Sequence, residues 1–535
     1  MTYISLHNYL TIDTNILTNA QIVAHMTADK LEEFFKRDLV NLTKLDCSDC
    51  IELTELPVLP SLTELNCIGC TNLKEIPALP NLEKLYCSKC TKLTSIPKMS
   101  KLSILKCIGC HNLIYISELP SLTELNCKRC HYLKHIPMSI NLSKLCCGEC
   151  TGLTQIPVLP NLITLDCSEC TGLTQIPVLP TLIELMCWEC VKLTEISVLP
   201  KLQMLQCSKC RDLSQIPVLP NLIKLNCSEC KGLTQIPDLP NLNELLISEC
   251  TEITQIPMLP NLVRLYCEKC PGLKTIPLLP NLQLLHCSEC IALTEIPVLP
   301  KLTSLDCKNC IIQIPVLPNL HFLNCGYCEE LTQIPMLLTL TDLYCYRCIK
   351  LEYIPPLPNL KTLFCIECTM LTSIPILPNL IELNCKKCSM LNSISVLPNL
   401  LNLTCDLCSS LEMIPQLPNL HILECHDCMV LSEIPVLPKL DTVKYSKDIV
   451  KSYSVPLRFL NHVDCDTLTK ALEYNPYNIN DVFSNKHISD TTIHDTLSVL
   501  VQYLEYANSG TRIKLESLSV ENEISLPILV KPAGR

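Results

Sequence analysis

The stretch NLITLDCSECTGLTQIPVLP, residues 161–180, recurs with variations along most of this chain of 535 residues, and its period decides the fold. Residues 41–438 divide into twenty units of the form x-L-x-x-L-x-C-x-x-C-x-x-L-x-x-I-P-x-L-P; nineteen have twenty residues and one, starting at Lys301, has eighteen. Leu fills the second and fifth positions of all twenty, from Leu42 and Leu45 to Leu420 and Leu423. A fixed internal period overrides any domain count taken from length. Around the fifth to seventh positions apolar residues alternate with variable ones, which is the period of a strand buried on one face. The phrase I-P-x-L-P carries up to two prolines, whose fixed φ and missing N–H exclude a regular helix and favour extended backbone. One unit cannot bury its own apolar face, whereas stacked neighbours cover one another. The period therefore predicts a solenoid with one short parallel strand per unit and a thin opposite side. Strands about 4.8 Å apart would give twenty of them a surface on the order of 100 Å long, far more than a small metabolite needs.

Composition narrows the function. A formal net charge of −11 and a pI near 5.6 provide no broad cationic surface, so neither nucleic acid nor anionic lipid is expected as a partner. No window reaches the roughly eighteen apolar residues that crossing a bilayer requires. The first twenty residues, MTYISLHNYLTIDTNILTNA, are broken by His7, Asn8, Asp13 and Asn15 and offer no uninterrupted apolar core for a secretion signal, so a soluble protein in a reducing cytoplasm is expected. No phosphate loop, convergent acid–base pair or Ser, His and Asp arrangement stands out. The chain reads as a binding protein without a cofactor, not an enzyme.

The frame L-x-x-L-x-C-x-x-C-x-x-L resembles the strand-bearing half of leucine-rich repeats, with Cys where Leu and Asn more often stand. The twenty-residue length and the I-P-x-L-P phrase resemble the shortest subclass of that family, found in bacterial effectors, and the Cys-bearing array is also similar to repeat proteins of giant DNA viruses; a viral chain would work in the host cytoplasm. The resemblance covers about three quarters of the chain. It implies an α/β-type solenoid, a horseshoe with a parallel β-sheet on its concave face, a mostly extended convex side and helical caps. It also implies a scaffold for protein–protein interaction, since many binding functions are grafted on that fold. The alternative is a structural component of a particle or assembly.

Forty of the forty-one cysteines lie in the array: nineteen at the seventh position, twenty at the tenth, and Cys146. The spacing of Cys47, Cys50, Cys67 and Cys70 matches a zinc pattern. Each of these residues, however, falls where the repeat needs a core side chain, and Ile247 takes a seventh position that could never ligate metal. The leading expectation is reduced, buried thiols packing as small hydrophobes, with no metal bound. The tenth position is where the family commonly has Asn; a thiol donates weakly, so close packing more than hydrogen bonding is expected of that column. Disulfides between rungs are geometrically conceivable and disfavoured by compartment. Cys110 with His111 and Cys130 with His131 form the best metal alternative.

By resemblance, the fourth, sixth, eighth and ninth positions face a ligand. The ninth is charged in fifteen of twenty units, with both signs, and Glu149, Glu169 and Glu189 stack as like charges. Aromatic residues make up only 4% of the chain, yet Tyr266, Phe322, Tyr327, Tyr344, Tyr346 and Phe364 gather at these positions, with His286 among them. Exposed aromatics dominate protein-binding hot spots, so these seven residues are the expected partner-binding surface. Trp188, at an eighth position, is an isolated second candidate. The eighteen-residue unit loses two residues beside this stretch.

Residues 1–40 lack the repeat; 27–39 reads as an amphipathic helix capping the first unit. Residues 439–535 are expected to form a C-terminal cap and small helical tail, with helices near 466–474 and 490–506. Short-repeat effectors sometimes carry a ubiquitin-ligase domain after the array. Cys465, in D-C-D-T with only His462 nearby, departs from that pattern in a much shorter tail, leaving ligase activity a remote alternative.

Overall fold

The computed structural model describes residues 41–310 and 313–445 apart from Ser432 and Val436, together with Leu39, Asn19–Gln21 and Ser452–Tyr453. The chain is a parallel β-solenoid in two compact units, residues 1–282 and 283–535. In the first, Asn19–Gln21 pairs in parallel with Lys44–Asp46, and from there to Arg264–Tyr266 the three-residue strands pair in parallel with a register of one repeat, for example Thr164↔Glu184, Leu165↔Leu185 and Asp166↔Met186. In the second, strands from Leu284–His286 to Thr442–Tyr445 pair in the same way. Main-chain bonds reach from each rung to the next: Cys167 N–H donates to Met186 C=O at 2.8 Å and Glu169 N–H to Trp188 C=O at 2.8 Å. Each rung thus satisfies its neighbours' peptide groups, as a proline-rich repeat must arrange between coils.

The repeat is short because seven buried positions close one coil. Leu162, Leu165, Cys167, Cys170, Leu173, Ile176 and Leu179 are each 0% exposed, and the same positions are buried in the other twenty-residue repeats. Leu at the strand centre points inward while its two neighbours face out. The proline phrase runs extended, and in places adds a second, two-residue ladder such as Gln175–Ile176 with Glu195–Ile196. The eighteen-residue unit keeps its register, with Ser304↔Phe322 and Leu305↔Leu323 paired, and a bridge Glu295↔Gln313 forms beyond the deletion. On either side of the shortening Cys310, Ile314 and Leu317 remain buried.

Where helical caps were expected, none is seen among the described residues; the helices anticipated at 466–474 and 490–506, the one at 27–39 apart from Leu39, and Cys465 lie outside them. Strand pairing instead continues past both ends of the array. Asn19–Gln21 pairs with Lys44–Asp46 before the first repeat, and Ser452–Tyr453 pairs with Glu433–Ile434 after the last. An exposed sheet edge offers unpaired N–H and C=O groups, which a further strand satisfies directly.

The cysteine columns show a bonding role that the sequence did not suggest. In the first unit the tenth-position thiols from Cys70 to Cys270 donate Sγ–H to the seventh-position carbonyl of the preceding repeat, for instance Cys70 to Cys47 at 3.0 Å and Cys170 to Cys147 at 3.1 Å. In the second unit the bonds from Cys310 to Cys428 span 2.9 to 3.2 Å; the longest, Cys328 to Cys307, follows the shortened unit. The column was expected to contribute packing more than hydrogen bonding; its thiols are buried, and those from Cys70 to Cys270 and from Cys310 to Cys428 each also make a bond. A weak donor held without alternatives in a dry interior still finds the nearest acceptor. A second ladder stands at the first position, where Asn side chains donate to the proline carbonyl one turn back, such as Asn241 to Pro220 at 2.8 Å and Asn379 to Pro358 at 2.8 Å. It ties down the turn that no proline N–H can close.

Candidate binding face

The sheet's outer face presents the fourth and sixth positions of each strand, flanking the inward Leu; in the strands at 322–324, 342–344 and 362–364 both are half-buried. On this face of the second unit the register sets Phe322 beside Asp342, Asn324 beside Tyr344, and Tyr344 beside Phe364. The rings meet: Phe322 and Tyr344 centroids are 5.5 Å apart at 39°, and Tyr344 and Phe364 are 5.1 Å apart at 63°. Such tilted and edge-on contacts suit the ring quadrupole. One turn along, Tyr327 and Tyr346 make an edge contact at 5.4 Å. Gly326 permits it, since a Cβ there would stand 2.5 Å from the Tyr346 ring.

Five of the seven residues singled out by sequence are thus brought together in two touching groups. His286 lies on the same face, separated from Phe322 by the strand Ser304–Asp306. Tyr266 ends the strand Arg264–Tyr266 of the first unit. Trp188 is half-buried in the first unit. The sequence did not point to the charged residues around the rings. Lys308 Nζ and the Arg347 guanidinium sit 5.1 and 5.0 Å from the Tyr327 ring centroid. Arg347 also pairs with Glu367 at 3.2 Å, and Lys387 with Glu367 at 2.7 Å. Burial, then the carboxylates of Asp342 and Glu382, push the Tyr344 phenol up.

No known family, curated protein or solved structure matches the chain. What the molecule can do has to come from its own surfaces.

The ninth-position column is not a bare acidic stripe. Arg129 holds Glu149 at 2.8 Å and keeps its carboxyl below the ordinary range, and Lys209 approaches Glu189 at 4.0 Å. The column also adopts positive φ throughout the described repeats, from Asp49 at 57° to Asp427 at 55°, with Gly69 and Gly109 among them. It forms the tight turn after each strand.

The histidine pair does not assemble a metal centre with its cysteines. The rings of His111 and His131 stack at 5.1 Å, with Nδ1–H donating to the Arg129 and Glu149 carbonyls at 3.1 and 2.9 Å. Cys110 and Cys130 point into the core and donate to Cys87 and Cys107. Among the described residues no group of three or more His, Cys, Asp or Glu is placed to hold a metal ion, and no helix is long and apolar enough to cross a membrane.

Proposed function

We propose that this chain is a protein-interaction scaffold of leucine-rich-repeat type, working in the cytoplasm, and that its partner docks on the sheet face that such repeats present as concave. The observation that carries this reading is the gathering of Phe322, Tyr344 and Phe364 into one half-buried cluster on a chain with only 4% aromatic residues. Rigid rings offer large contact area at little entropic cost, as binding hot spots require. Binding, not catalysis, is the reading this cluster supports.

Proximity labelling in the native cell with the full chain identifies the partner, and the Tyr344→Ala/Phe364→Ala variant tests the site. Capture of that partner should fall about tenfold or more; unchanged capture refutes the assignment. A structural component of an assembly is the second reading. It is favoured by an exposed apolar column in the proline phrase, in which Val316 is 58% and Ile376 is 66% exposed. Light scattering on the same preparations separates the two, since an assembly component forms multimers without any partner.

A further inference from the structure

We infer that the partner presents an arginine or lysine side chain to the aromatic cluster, seated between Asp342 and Glu382 against the rings of Tyr344 and Phe364. This rests on the binding-face reading and adds the chemistry recognised there. The register places three side chains in one column: Asp342 beside Thr362, and Thr362 beside Glu382. Beside them run Tyr344 and Phe364 in the adjacent column. The two carboxylates are thus two strand spacings apart, on the order of 10 Å, with only the short Thr362 between them. The rings form one wall. Thr362 is the shortest side chain of the three, so the column is lowest between the two carboxylates.

Charge gives the site its sign. On the outer faces Glu64 takes Lys44, Glu124 takes Lys106, Glu244 takes Lys224 and Glu424 takes Lys444, at 2.7 to 3.5 Å, while Asp46, Asp166, Glu184 and Asp306 make no ion pair among the described residues; what sets Asp342 and Glu382 apart is the pair of rings beside them. Among the described residues neither Asp342 nor Glu382 has a basic group within ion-pair distance, and Asp342 receives only the Thr341 hydroxyl at 2.7 Å. The cations on the other side of the cluster are engaged: Arg347 and Lys387 with Glu367, and Lys308 with the Tyr327 ring. Lys361, in the next column, contacts neither carboxylate as an ion pair. Two uncompensated carboxylates beside the negative faces of two aromatic rings attract a cation, and repel an acidic segment, by one electrostatic field.

A displayed library of random dodecapeptides, selected on the immobilised full chain, tests this. Selected peptides are synthesised and their affinities measured for the native chain, for Asp342→Asn/Glu382→Gln and for Tyr344→Ala/Phe364→Ala. The amide variants match the originals in shape, so their melting should stay unchanged. The expected result is enrichment of Arg or Lys, with about a tenfold loss of affinity in the amide variant and a loss in the ring variant. Peptides weakened by the ring variant and indifferent to the amide variant, or lacking basic residues, overturn the cation assignment and leave the binding face standing. No selected peptides, or peptides indifferent to both variants, overturn both.

Discussion

At the residue scale the two cysteines of a repeat look interchangeable in sequence and are not. Cys170 is 0% exposed and has an acceptor for its thiol, the Cys147 carbonyl at 3.1 Å. Cys167 is also 0% exposed, and its thiol meets the thiol of Cys190. Serine shortens both side chains similarly and makes each a stronger donor. At 170 the hydroxyl inherits the carbonyl. At 167 it is buried against sulfur, and a poorly satisfied buried hydroxyl costs about 1–3 kcal/mol. Cys167→Ser should therefore be less stable than Cys170→Ser by about that amount, read as a difference in urea midpoints. Equal midpoints would remove the thiol-to-carbonyl ladder as an energetic feature. Ile247 fits this picture, since an aliphatic residue serves at a seventh position, whereas every tenth position is Cys.

At the element scale the turn after each strand holds its ninth residue in left-handed backbone, at 58° for Glu169. That conformation costs a residue with a Cβ and suits Asn or Gly. Replacing Glu169 by Asn should raise stability by about 0.5–1 kcal/mol, and Glu169→Val should lower it by about 1–2 kcal/mol, as a β-branched residue fits that region worst. Thermal melting of the pair checks the order, and Val equal to Asn would contradict it. The inward Leu column was readable because burial requires an apolar residue on every rung. This turn was hidden, because hydrogen bonds from neighbouring rungs impose it on Glu, Lys and Arg as readily as on Gly69. The first-position Asn does recur in the sequence, but only the fold shows the proline carbonyl it serves. The aromatic cluster was half readable for a similar reason. Periodicity assigns Phe322 to a fourth position and Tyr344 to a sixth, and so to one face, while their contact is a diagonal across two rungs. The carboxylates of Asp342 and Glu382 gave no signal, because their lack of a cation depends on which neighbours happen to be engaged.

At the scale of the whole molecule, paired columns of buried thiols link stability to pH. The seventh-position thiols of Cys47, Cys167 and Cys365 are pushed well above their ordinary value near 9.0, first by hydrogen bonding with the tenth-position thiol of the next rung and then by burial. Cys50 is raised by burial to about 12. A few tenth-position partners, such as Cys70 and Cys110, are shifted down by the same contact, and the raised thiols outnumber them. In the unfolded chain thiols lose their protons from about pH 9, while the folded core retains most of them. The unfolded state then binds fewer protons, so stability is complete below that pH and falls as the pH rises towards 12. With reductant present, circular dichroism should stay level from pH 7 to about 9 and then collapse cooperatively. Thiolate absorbance should rise in the same step and not before it. A gradual rise centred near pH 9, with the fold intact, would mean that the thiols ionise in place and that the columns are wetter than their burial implies.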